Sequence, residues 1–146
     1  MLIILSEDNY LDTINSYDRA HWQPILDLIP EIEATEKFVE IIEREDNIEG
    51  VIQMPYFKVS KIVYKFHKLV DELGIMISFN WGSWQVGKDI LEGKTFDFDT
   101  IDIPTKCKLI SMIIRNNRFC DGYLVSTFEN GIILGMLKSI ERQLGA

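Results

Sequence analysis

Positive charge, cysteine, histidine and long apolar runs are all scarce in this chain of 146 residues. Lys and Arg number 15 against 23 Asp and Glu, for a net charge of −8. Binding nucleic acid without regard to sequence requires cations that neutralise phosphates, and an anionic membrane surface makes a similar demand. Neither partner is expected here. The longest apolar runs, such as Leu109 to Ile114, fall far short of the roughly 20 residues that cross a bilayer. Met1 to Leu5 is apolar, but Ser6-Glu7-Asp8 follow at once and no basic stretch comes first, so it does not read as a secretory signal. The two cysteines, Cys107 and Cys120, are therefore expected to be reduced thiols of a cytoplasmic protein. With His21 and His67 they make a poor zinc set, because no pair has ligand spacing. No metal or cofactor is expected.

Catalytic motifs are missing as well. Gly87 to Thr95 approaches a phosphate loop, but five residues rather than four separate Gly87 from Gly93, and no strand–loop–helix context surrounds it. Asp97, Asp99 and Asp102 lack the rest of a calcium-loop pattern. His67 and Asp71 at i, i+4 read as an exposed helix pair rather than a base and its orienter. No catalytic residue is assigned.

Apolar residues make up 47% of the chain and charged ones 26%, which is ordinary for a globular domain. The length suits one domain over 1–146, with a core of its own. The periodicity is mainly helical. Ile103, Cys107, Ile110 and Ile114 recur at +4, +3, +4, and Leu109, Met112 and Ile113 widen that stripe. Asp102 caps this helix, Pro104 suits its first turn, and Asn116-Asn117 stop it. Ser60 and Gly74 bracket a second helix with Phe66 and Val70 inward. Asp18 caps a third, carrying Trp22, Ile25, Leu26 and Ile29, with Pro30 limiting its end. Thr35 is expected to cap a helix carrying Phe38, Ile41 and Ile42. Val51 to Pro55 reads as a brief extended piece, and Leu2 onward as helical. Asn130-Gly131 fits either a hairpin turn or a helix end, and helix–Gly–helix matches the surrounding spacing better. The expected fold is mainly α: a single-domain bundle of about six or seven helices, with room for one short β-hairpin.

Two constellations stand out as binding candidates. Trp81 and Trp84 lie three apart, and Arg115 and Arg118 share the end of the long helix, with Asp121 beyond. The bland reading is core anchors and a charge-satisfied helix end. The sharper one is a ligand pocket with an aromatic wall and a carboxylate clamp. The second constellation is electrostatic. Between Glu31 and Glu49 eight carboxylates face only Lys37 and Arg44, a net −6. Lys58, Lys61, Lys65 and Lys68 recur at +3, +4, +3. Pairing of the two within the chain or between subunits is the economical account. Docking of a basic protein partner on a surface that includes Glu36, Glu40 and Glu43 is the functional one.

Five short blocks carry a resemblance. They are Trp22-x-x-Ile25-Leu26-x-Leu28-Ile29-Pro30, Met54-Pro55-Tyr56, Phe79-x-Trp81-x-x-Trp84, Arg115-x-x-Arg118-Phe119-x-x-Gly122, and Phe128-Glu129-x-Gly131. On these the chain resembles a bacterial domain family of unknown function, from about Trp22 to Leu144. Residues 1–20 form an expected helical extension outside it. The resemblance implies a small soluble bacterial domain and no particular activity. The leading functional expectation is therefore an acidic protein-interaction module, antitoxin-like or regulatory. The alternatives are a small-molecule binder or enzyme with the Trp/Arg pocket, and a homodimeric structural subunit.

Overall fold

The computed structural model of the chain describes residues 4–42, 56–93, 95–120 and 122–145. Its elements are organised around α6 (Ile103–Asn117). Asp102 accepts a hydrogen bond from the Thr105 N–H at 2.9 Å, so the helix begins where a capping carboxylate can satisfy an otherwise orphaned donor. Pro104 occupies its first turn. Cys107, Leu109, Ile110, Met112, Ile113 and Ile114 are all buried, so α6 is covered around much of its girth.

Seven further helices complete the bundle among the described residues. In chain order they are α1 (Tyr10–Asn15), α2 (Arg19–Leu26), α3 (Leu28–Ala34), α4 (Lys61–Leu73), α5 (Gln85–Glu92), α7 (Tyr123–Glu129) and α8 (Ile132–Leu144). The architecture is mainly α, as the periodicity implies. Asp18 caps α2 through the His21 N–H at 3.0 Å. Gly74 ends α4 at φ 68°, a left-handed backbone that glycine enters without a Cβ penalty. Tyr17 Oη and His21 Nε2 meet the carbonyls of Gly74 and Leu73 at 2.9 and 2.6 Å, so two stacked side chains of the N-terminal region satisfy the end of α4. Gly131, at φ 84°, separates α7 from α8, which makes the Asn130-Gly131 corner a helix–Gly–helix junction.

Several expectations are corrected. The expected helical extension at the start of the chain is helical only in part: α1 lies in it, but Ile4–Ser6 form strand β1, paired in parallel with β4 (Met76–Ser78), Leu5 opposite Ile77. Met76 and Ile77 are buried, as parallel strands usually are. The outer edge of β4 is covered by α6, whose Ser111 Oγ accepts the Ile77 N–H at 2.9 Å and donates to the Cys107 carbonyl at 2.8 Å. Pro30 does not end the helix carrying Trp22. A break at Asp27 ends it, and Pro30 sits in the first turn of α3, where no N–H is needed. Thr35 caps no following helix. It closes α3, and Val39–Ile42 form strand β2, antiparallel to β3 (Tyr56–Val59). The hairpin thus lies here and not at 122–137. Lys58 belongs to β3, so only Lys61, Lys65 and Lys68 of the lysine series are helical, on α4. Trp81 lies in a 3-10 turn (Trp81–Ser83) and Trp84 at the N-cap of α5, so no common helix carries them. The extended piece expected at Val51 to Pro55 lies outside the described residues.

The segment between α5 and α6 is held by a polar clasp. A 3-10 turn, Phe98–Thr100, presents Asp99 to Ser139 and Arg142 of α8. Lys106 is fully buried, and its Nζ donates to the Ile101 carbonyl at 2.9 Å and to Gln143 at 2.6 Å. Phe98 lies against Gly135, where a Cβ would come within 3.3 Å of the ring.

Candidate interaction surface

The β2–β3 hairpin is two-faced because side chains alternate along a strand. Val39 is opposite Val59, and Ile41 opposite Phe57, so these four lie on one face; Glu40 opposite Lys58 lies on the other. The root of the hairpin is anchored. Phe38 is buried, its ring 5.4 Å from Phe128 of α7, and its carbonyl accepts the Ser60 N–H at 2.8 Å. Phe66 of α4 meets the same Phe128 ring edge-on at 5.4 Å. Farther along, the apolar face emerges into solvent. Ile41 is 64% exposed and Phe57 71%. The two form a cross-strand pair of large apolar side chains open to solvent.

Between this face and α7 runs a groove of about 460 Å³, lined by Val39, Phe57, Val59, Gly122, Val125 and Glu129. Its lining is apolar except for Glu129. A smaller recess of about 180 Å³ shares Val39 and Glu129 with it and adds Glu36, Lys37 and Phe38. A third recess, of about 310 Å³, is lined by Lys37, Glu40, Lys58, Val59, Ser60 and Lys61. The exposed carboxylates Glu36, Glu40 and Glu129 make no ion pair with another described residue.

The acidic segment and the lysines meet in part. Glu31 and Lys65 bridge α3 and α4 at 2.9 Å, and Glu33 reaches Lys138 of α8 at 3.3 Å. Lys68 pairs with Glu72 on its own helix at 3.9 Å. Glu43 lies outside the described residues.

Around the tryptophans of the Trp/Arg constellation, aromatic rings and Lys108 pack together. Trp84 meets Phe79 edge-on at 5.6 Å, and Trp81 lies tilted 6.1 Å from Phe119. Lys108 Nζ sits 4.8 Å from the Trp84 ring centre, 4.7 Å from Phe79 and 5.7 Å from Tyr10, within cation–π reach of all three. Lys108 lies on α6 and Phe119 just past its end, so Trp84 meets the helix itself and Trp81 the segment that follows it. Arg115 is half-buried, and its Nε has no hydrogen-bond partner among the described residues. Arg118 caps the end of α6 and is exposed. Asp121 lies outside the described residues. None of the three recesses described above is lined by Trp81, Trp84, Arg115 or Arg118.

Titration is perturbed elsewhere. Hydrogen bonds from Ser139 and then Arg142 hold the Asp99 carboxyl below its ordinary value. Burial pushes the Lys106 ammonium down, with Asp99 and Asp102 opposing the shift. Burial pushes the Cys107 thiol well above its ordinary range, which suppresses the reactive thiolate. Cys120 is exposed. These perturbed groups serve the clasp and the core; none lines the groove.

The hairpin face was the part of the candidate surface that sequence reasoning missed. The signal was present as period-two alternation in Val39-Glu40-Ile41 and Phe57-Lys58-Val59. No curated protein and no solved structure matches the chain. A family model does, over residues 17–146, which covers α2 to α8, the hairpin and the groove. The chain belongs to the family of unknown function DUF6508.

Proposed function

We propose that this protein is an interaction module that engages a protein partner through the apolar face of its β2–β3 hairpin. The observation that carries this reading is the exposed Ile41–Phe57 pair beside an apolar groove. Burying two such side chains stabilises a complex by about 1.5–3 kcal/mol each before ordering costs are met. The carboxylates around the face and the net charge of −8 favour a basic partner and speed its approach. The test is site-specific photocrosslinking in cells of the source organism, from a benzoylphenylalanine replacing Phe57. A discrete adduct is expected there and not from the same group at Val86, an equally open position on α5. Equal labelling from both positions, or from neither, would refute the reading.

A second reading, small-molecule binding beside Trp81, Trp84, Arg115 and Arg118, draws support from the Arg115 Nε, which has no partner among the described residues. A ligand carboxylate is the group that would satisfy it. The absence of those four residues from the three recesses described above makes it the weaker of the two.

A further inference from the structure

We infer that the groove between the hairpin and α7 takes a partner segment in which an apolar side chain stands one or two residues from an Arg or Lys. This rests on the interaction reading above and specifies the chemistry of the partner.

The groove itself selects an apolar group. Val39, Phe57, Val59 and Val125 supply its walls, and Gly122 contributes no side chain. A Cβ built at Gly122 would meet nothing within 4 Å, so the groove is open at that end. Its volume of about 460 Å³ lies within the range of about 300–1,000 Å³ typical of binding clefts. A polar side chain placed there would lose water and find no hydrogen-bonding side chain among the lining residues except Glu129.

The charge at its end selects a cation. Glu129 is the one charged residue of the groove lining and is shared with the smaller recess, where Glu36 joins it. Both are exposed and neither is engaged by a described cation, although Lys37 lines the same recess. An anionic side chain arriving there would meet two carboxylates at the mouth of an apolar cleft, where attraction and repulsion are less screened than in open water. A guanidinium would meet two acceptors of the geometry it binds best. Because the two recesses adjoin, the anchor and the cation must be close in sequence. In an extended segment, residues two apart project to the same side and stand about 7 Å from each other.

Short fluorescent peptides on a Gly/Ser background, carrying Leu and Arg one or two residues apart, are titrated against the full-length chain by anisotropy. The Leu/Arg peptides should bind, and replacing Arg by Glu or Leu by Ser should weaken binding about tenfold or more. The double variant Glu36→Gln/Glu129→Gln should lose most of the preference for Arg over Glu. Both positions are exposed, so the variant should keep its helical circular dichroism. If Arg and Glu peptides bind equally, or no peptide binds while position 57 still yields an adduct, this inference fails and the interaction reading stands. If light scattering shows a dimer that Phe57→Ser dissolves, the occupant is a second copy of the chain and the inference also fails. If neither adduct nor peptide binding is seen, both readings fall together.

Discussion

Asp99 accepts hydrogen bonds from Ser139 Oγ and from Nε and Nη2 of Arg142, and so ties the turn before α6 to the last helix. Those donors hold its carboxyl below the ordinary value of 3.8, Ser139 first and Arg142 second. The group binds its proton less readily when folded than when unfolded. Its contribution is therefore fully present above the ordinary value and is lost as pH falls through the lower, folded one. Asp99→Asn should be less stable than the parent at pH 7, and the gap should narrow as the pH falls below the ordinary carboxylate value. Urea midpoints for both proteins at pH 7, 5 and 3 check this; a gap unchanged by pH would remove the ionic role. None of this was readable from Asp97-x-Asp99 as a sequence, where the aspartates offer only an incomplete calcium-loop pattern. Lys106 makes the same point. It sits beside the apolar stripe of α6, yet its ammonium is held by the nearby Ile101 carbonyl and by Gln143, which α8 brings from 37 residues along the chain.

At the scale of elements, helices with local signals were legible and strands were not. A cap at Asp102, a proline in the first turn and an apolar stripe all lie within one stretch of chain, so α6 could be read directly. The pairing of β1 with β4 joins segments about seventy residues apart and is three residues long, too short for a pattern to show. The segment after Thr35 was misread for another reason. Phe38, Ile41 and Ile42 satisfy helical spacing, but Val39 and Ile41 also satisfy strand spacing, and only the partner strand β3 decides between them. Pairing also leaves edges to be managed. On β4 the managing group is Ser111, a hydroxyl that accepts one buried backbone N–H while bonding back to its own helix. Ser111→Ala should strand the Ile77 donor and cost about 1–3 kcal/mol of unfolding free energy. Chemical denaturation measures that directly. A change below a few tenths of a kcal/mol would mean that water or a shifted backbone replaces the hydroxyl.

At the scale of the whole molecule, stability should be graded outward from α6. Its amides sit among buried apolar side chains, while β2 and β3 form an isolated two-stranded sheet with Ile41 and Phe57 in water. Such a sheet is marginal without packing. Amides of Val39 to Ile42 should therefore exchange with deuterium well ahead of those of Leu109 to Ile113, and peptide-resolved exchange followed by mass spectrometry will show it. Saturating the hairpin with a peptide that binds it should slow the first group and leave the second unchanged. The ion pairs Glu31–Lys65 and Glu33–Lys138 join α3 to α4 and α8, but they are half exposed and worth roughly 0–1 kcal/mol each. Apolar burial carries most of the assembly. No helix among the described residues is long and apolar enough to cross a membrane.

Composition and periodicity by themselves determined a mainly helical domain, a net charge of −8 and the positions of the α2, α4 and α6 starts. Those properties depend on residues within a turn or two of each other. Which apolar residues would stay outside was decided only by tertiary structure. Val39, Ile41, Phe57 and Val59 look like any other core formers until β2 meets β3 and α7 covers the root of the hairpin and leaves Ile41 and Phe57 open. Exposure is a property of what the rest of the chain covers, and a groove exists only between elements, so neither is written in any single stretch.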